Sequence, residues 1–186
     1  MTGVQRTGDG GPKRHSPAQL CHIVFYTRQF DAMVAWYCDV LGAYPVMRND
    51  HIAFLTYDEE HHRVAIVRKD GLADRPADCT GFAHAAFGYG SLSTLAATYV
   101  RLKQRGIAPV WEINHGPTTS LYYEDPDRNR IELQVDNFDR LDKLNDWFAT
   151  GAFDRNPIGV EIKFDDIVER LRGGEPERNI LRPLQT

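Results

Sequence analysis

The chain has 186 residues, a length that suits one domain with a terminal extension better than two independent cores. Hydrophobic residues make up 42% and charged residues 26%, which excludes collagen-like, coiled-coil and wholly disordered classes. Lys and Arg number 22 against 26 Asp and Glu, and the net charge of -4 leaves no basic footprint for nucleic acid. The longest apolar run, Ala32 to Cys38, is far too short to span a bilayer, and no apolar signal core opens the chain. A cytoplasmic protein with neither a membrane nor a nucleic-acid partner is therefore expected. Cys21, Cys38 and Cys79 are odd in number and lack CxxC spacing, so they are expected to be reduced and mostly buried.

Residues 1–19 are polar and Gly-rich, without hydrophobic period, and predict a flexible arm. From Leu20 the text Leu-Cys-His-Ile-Val-Phe-Tyr-Thr predicts a strand with His22 near its start. Phe30, Met33, Tyr37 and Leu41 then step by three and four along a predicted helix that Gly42 stops. Short apolar runs at Val46–Met47, Ile52–Tyr57 and Arg63–Val67, punctuated by Asn49-Asp50 and Asp58-Glu59-Glu60, predict a three-stranded meander.

After a linker at 71–80 the pattern returns. A strand begins within 81–87 and carries His84, and a helix follows with Leu92, Leu95, Tyr99 and Leu102 inward, capped by Ser91 and closed by Gly106. Strands are predicted at 109–113, 118–124 and 130–135, the last two joined by the turn Asp125-Pro126-Asp127-Arg128-Asn129. Beyond Val135, helices are predicted over 138–148 and 165–172, with an extended stretch at 157–163 between them. The apolar residues Trp147, Phe148, Phe153 and Ile158 in this tail must pack on the core or on a neighbouring subunit.

The duplication, of period about 62–68 residues, makes His22 and His84 equivalent. They lie 20 and 22 residues before Gly42 and Gly106, each on the first strand of its unit, so two related units can aim both imidazoles at one cavity. Glu132 interrupts the apolar strand 130–135, and alternation separates it from Ile131 and Leu133. Two imidazoles and one carboxylate can occupy one face of an octahedral metal and leave three positions open, as in non-haem iron(II) oxygenases.

The run Ile113-Asn114-His115, five residues, Leu121-Tyr122, two residues, Asp125-Pro126, with Glu132 six residues after Pro126, resembles the signature of type I extradiol ring-cleavage dioxygenases. These belong to the vicinal oxygen chelate superfamily, with glyoxalase I and the bleomycin-resistance proteins. The resemblance covers 20–135 and implies an α+β fold of two paired β-α-β-β-β modules, about 20–70 and 81–135, that form a metal-holding cup, with 136–186 as a C-terminal helical extension. It implies His22, His84 and Glu132 as ligands of iron(II), with manganese(II) as the alternative. His62, in a stretch that resembles the family's acid–base segment, is the implied proton donor, and His115 and Tyr122 are implied hydrogen-bond partners of the substrate. Alternation would set His62 on one strand face with Val64 and Ile66, with Val64 near the position of Glu132, His61 turned away and Tyr123 opposite to Tyr122.

Glyoxalase-type lyases take a fourth ligand from the strand that carries Arg63, Val64 and Ala65, none of which can serve, so an oxygenase fits better than a glyoxalase. The expected activity is insertion of both atoms of dioxygen into a catechol-type aromatic substrate, with ring cleavage beside the diol, by a homo-oligomer. A metal-dependent lyase, isomerase or epoxide-opening enzyme on the same scaffold, and a metal-free small-molecule binder, are the alternatives. Two residues depart from the family pattern: Arg128 stands where a small turn residue is usual, with Asn129 able to take the positive φ, and Pro117 follows the signature histidine where relatives place a side-chain hydrogen bond.

Overall fold

The structure is a computed structural model and describes residues 15–76 and 80–183, so most of the N-terminal arm, Cys79 and part of the linker lie outside the described residues. Two β-α-β-β-β units follow one another. The first comprises β1 (Ile23–Thr27), α1 (Phe30–Leu41), β2 (Tyr44–Arg48), β3 (Ile52–Thr56) and β4 (Val64–Arg68). The second comprises β5 (His84–Gly88), α2 (Leu92–Gln104), β6 (Trp111–Asn114), β7 (Thr118–Glu124) and β8 (Arg130–Asp136). The strand order is β1-β4-β3-β2 in one sheet and β5-β8-β7-β6 in the other, where the short β9 (Val160–Glu161) adds to β6. In each unit the first and last strands run parallel and the meander is antiparallel, because the helix carries the chain across before the hairpins begin.

Local sequence accounts for the two long helices. Phe30, Met33, Val34, Tyr37 and Val40 form one buried stripe on α1, and Gly42 ends it at φ 65°, a left-handed conformation that strains any residue with a Cβ. On α2 the stripe is Leu92, Leu95, Ala96, Tyr99 and Leu102, and the Ser91 hydroxyl accepts the Thr94 N–H at 3.2 Å. Both stripes join the inward residues of the two sheets in one apolar cluster. The units are tied by polar contacts as well. Tyr37 donates to Asp125 Oδ2 at 3.0 Å, and Arg101 donates to the Asp39 carbonyl at 2.6 Å.

The tail continues as α3 (Leu141–Ala149), α4 (Ala152–Arg155), β9, α5 (Phe164–Arg172) and α6 (Glu177–Ile180). It packs on the second unit. Phe164 is fully buried and its ring lies 5.0 Å from Tyr99, while the Trp147 indole covers Gly116 so closely that a Cβ there would stand 2.4 Å from the ring. Glu177 caps α2 from outside, accepting the N–H groups of Leu92 at 3.0 Å and Ser93 at 2.9 Å.

Three local expectations change. Cys21 is exposed and Cys38 only partly buried, so the thiols are not a buried set. β1 starts one residue after His22. Arg128, not Asn129, takes the positive φ of 64°, in a turn held by Asp125, whose Oδ1 accepts the N–H groups of Asp127 at 2.9 Å and Asn129 at 2.8 Å. These bonds oppose a left-handed penalty of about 1–2 kcal/mol for a residue with a Cβ. No helix among the described residues is long and apolar enough to cross a membrane.

Candidate active site

Strand register builds the site in the second unit. β5 pairs with β8 so that Ala86 stands beside Glu132 and His84 beside Arg130, and β7 places Tyr122 opposite Glu132 and β6 places Trp111 opposite Tyr122. Since neighbouring strands share faces, His84, Glu132, Tyr122 and Trp111 lie on the face away from the helices, while Ile131, Leu133, Leu121 and Tyr123 enter the core. His84 Nε2 stands 3.1 Å from Glu132 Oε2, a carboxylate only 5% exposed. The Tyr122 hydroxyl lies 2.9 Å from His115 Nε2, and Tyr122 is the cross-strand partner of Glu132. Burial first, and then the Glu132 charge, hold the Tyr122 phenol well above its ordinary range, so it is protonated at neutral pH. His115 is fixed by its position at the end of β6, where its N–H donates to the Thr118 carbonyl at 2.9 Å.

The first unit contributes a cluster of imidazoles. His22 stacks on His62 with ring centroids 4.3 Å apart, and His62 lies 4.3 Å from the Phe54 ring on its other contact. His61 Nδ1 meets His62 Nδ1 at 2.6 Å, although the His61 side chain is 67% exposed. His62 is 7% exposed, and burial together with the nearby His22 and His61 pushes its imidazole below the usual histidine range. Register corrects the sequence alignment here. Ile23 stands beside Val64, so Ala65 rather than Val64 is the counterpart of Glu132, and Val64 and Ile66 point into the core. His62 still reaches the helix-free face, because β4 begins only at Val64 and alternation does not extend back to it. Its partner Phe54 pairs with Ala65 on that face. Neither Ala65 nor Val64 has a donor atom in its side chain, so this strand position offers nothing to a metal.

The donor set can be tested against a metal from these distances. Two donors bound at about 2.1 Å in adjacent octahedral positions stand about 3 Å apart. The His84–Glu132 separation of 3.1 Å matches that spacing, with nitrogen and oxygen donors suited to iron or manganese. Among the described residues, no three or more His, Cys, Asp and Glu side chains close together to metal-holding distance. The structure thus brings His84 and Glu132 together, with Tyr122 and His115 beside them, and leaves His22 on the His62 stack.

One contributor had no signal in the sequence. The carbonyl of Ile158, in the C-terminal tail, meets His115 Nδ1 at 2.5 Å. A backbone carbonyl has no identity that a sequence pattern can reveal; the nearest hint was an apolar tail that had to pack somewhere.

Residues 19–133 match the Glyoxalase/Bleomycin resistance protein/Dioxygenase superfamily, and the chain belongs to that superfamily. Within it, the chain is 41% identical over 164 residues to biphenyl-2,3-diol 1,2-dioxygenase 3 of Rhodococcus globerulus, covering 87% of this chain and 86% of the relative. It is 40% identical over 159 residues to biphenyl-2,3-diol 1,2-dioxygenase 2 of the same organism, covering 85% and 84%. Among solved structures, a glyoxylase/bleomycin resistance protein/dioxygenase domain from Frankia sp. EAN1pec aligns with a TM-score of 0.54 at 21% identity, over 65% of this chain and 99% of that one, a likeness of fold.

Proposed function

We propose that this chain is an extradiol dioxygenase that opens a catechol-type aromatic ring beside the diol, with His22, His84 and Glu132 as ligands of iron(II) and residues 20–135 as the catalytic unit. The observation that carries the reading is the His84–Glu132 pair, spaced at 3.1 Å on the helix-free face with Tyr122 and His115 alongside. Relatives at 40% and 41% identity named for a biphenyl diol support a catechol-type substrate over the lyase alternatives. His22 is stacked on His62, and the three side chains are not gathered to metal-holding distance among the described residues. Manganese(II) is compatible with the same donors.

When bound, the metal supplies the redox chemistry that couples a diol to dioxygen. The protein supplies position and protons. His62 is buried and held below the usual histidine range, and with its Nδ1–H donating to His61 Nδ1 its Nε2 is the atom that accepts a proton from a substrate hydroxyl and later returns it to oxygen. Tyr122 meets the substrate oxygens through its hydroxyl, His115 supports it from 2.9 Å away, and the Trp111 ring, 5.0 Å from Tyr122, lines the same face. Both oxygen atoms end in the product, a ring-opened carboxylic acid whose other new carbonyl is an aldehyde, or a ketone where the cleaved carbon carries a substituent as in biphenyl-2,3-diol.

The test is anaerobic loading with iron(II) followed by dioxygen uptake with a panel of catechols that includes biphenyl-2,3-diol, monitored in the visible, with His84→Ala as control. Uptake with a yellow product, lost in the variant, is the expected result. Iron binding without oxygen consumption by any catechol would replace the oxygenase with a lyase or isomerase.

A further inference from the structure

We propose that the α3–α4 segment of the C-terminal tail receives the part of the substrate remote from the diol, an uncharged aryl substituent on the catechol ring, with Trp147, Phe148 and Phe153 as its contact residues. The inference rests on the catechol reading of the site and names the substituent that this chain selects.

The tail borders the site at two consecutive residues. The Ile158 carbonyl meets His115 Nδ1 at 2.5 Å, and the Trp147 indole lies over Gly116, where a Cβ would stand 2.4 Å from its ring. Gly116 holds φ 93°, so only glycine lets the indole approach this turn without displacing it. On its other side His115 reaches the Tyr122 hydroxyl at 2.9 Å, and its ring lies 5.5 Å from Trp111. A surface thus runs from Tyr122, the residue that meets the substrate oxygens, across His115 and Gly116 to the tail.

That end of the surface is aromatic and open. The Trp147 ring stands 5.8 Å from Phe138, 5.3 Å from Phe148 and 6.2 Å from Phe153, and Phe148 and Phe153 meet edge to face at 5.4 Å. Leu141, Leu144, Trp147 and Phe148 recur at helical spacing on α3, yet no residue of that helix is buried and Phe148 stays 39% exposed. The apolar stripe therefore packs on itself and keeps one side open, as a binding surface does and a core helix does not. Its rings present edges and faces at the spacing of aromatic pairs, which suits a flat aryl group. The cations of the segment are already engaged: Arg140 Nε donates to Asp142 at 2.9 Å, Lys143 to Asp139 at 2.7 Å and Arg155 to the Thr150 carbonyl at 3.1 Å. Asp146 and Asp154 add negative charge, so a carboxylate substituent is repelled there and an uncharged one is not.

The experiment measures binding and not turnover, on the full chain loaded with manganese(II) in the absence of dioxygen. Biphenyl-2,3-diol, catechol and 2,3-dihydroxybenzoate are each titrated calorimetrically. The unaltered protein is expected to bind biphenyl-2,3-diol about 10-fold more tightly than catechol, and 2,3-dihydroxybenzoate no more tightly than catechol. Phe148→Ala and Phe153→Ala are each expected to lower the ratio of the first two affinities by about 5- to 10-fold, the scale of one lost aromatic contact. Phe148 is exposed enough for its truncation to leave the fold intact, and the preference of the unaltered chain needs no variant at all. A tail that merely props the site would lower all three affinities together and keep their ratio, and that result would overturn the proposal. A preference for the carboxylate would do the same. So would a Phe148→Asp variant that changes the subunit number in sedimentation while keeping the ratio, since the face would then be a contact between copies of the chain. Failure of the catechol reading shows separately, as an unaltered protein that binds none of the three.

Discussion

Replacement of Tyr122 by Phe removes a single oxygen from the centre of the site. The ring keeps its packing against Trp111 at 5.0 Å and His84 at 5.2 Å, so no cavity opens and the fold term is small. What is lost is a hydrogen bond of 2.9 Å to His115 Nε2, worth about 1 kcal/mol net, and a partly buried ring nitrogen is left without a donor at a further cost of about 1–2 kcal/mol. If the sum of about 2–3 kcal/mol is realised in the transition state, kcat falls by about 30- to 150-fold at 1.36 kcal/mol per tenfold. Dioxygen uptake by the iron-loaded variant at saturating catechol measures this directly. Manganese(II) affinity is expected to stay within about twofold, since the hydrogen bond lost is to His115 and not to His84 or Glu132. A kcat within threefold of the unaltered protein would refute the reasoning, because the hydroxyl would then have no role in the reacting geometry.

Two further predictions concern the tail. Phe164→Ala empties a fully buried site against Tyr99 and should cost about 3–5 kcal/mol, lowering the melting temperature by about 10 °C in a thermal scan. Glu177→Ala should cost about 1 kcal/mol at pH 7 by removing the cap of α2. The Ser93 hydroxyl, with the Ser93 and Leu92 N–H groups, lowers the Glu177 carboxyl below its ordinary range against a smaller opposing effect of burial. A depressed carboxylate stabilises above its unfolded value of about 4.3 and loses that contribution as pH falls through the folded value, so the two proteins should converge in urea unfolding once the pH is below the folded value. A gap that persists there would show that Glu177 acts through packing and not through charge.

Hydrophobic period and turn chemistry made much of the architecture legible in the chain. The stripe Phe30, Met33, Tyr37 with Gly42, and its echo in Leu92, Leu95, Tyr99, Leu102 with Gly106, located both helices, and strand 118–124 coincides with its predicted span. These signals are local, since a side chain repeats every 3.6 or 2 residues whatever lies across from it. The duplication then turned local signals into a pairing, and alternation alone was enough to put Glu132 on the opposite face from Ile131 and Leu133.

Where the chain leaves its regular strands, local period loses its authority. His62 precedes β4 and reaches the helix-free face against the parity of Val64 and Ile66, and the strained conformation at the β7–β8 turn falls on Arg128 because Asp125 bonds the neighbouring N–H groups in place. β9 is two residues long and has no period to detect; it is a strand because β6 had an open edge to pair with. The sequence by itself determined the two units, their helices, and the residue types available for a metal and for proton transfer. Tertiary structure alone decided that His84 and Glu132 meet at 3.1 Å while His22 rests on His62, and that a carbonyl 43 residues beyond His115 reaches its ring. The physical reason is that side-chain identity and short-range period are written in the chain, whereas contacts between backbone groups far apart in it exist only once packing has brought them together.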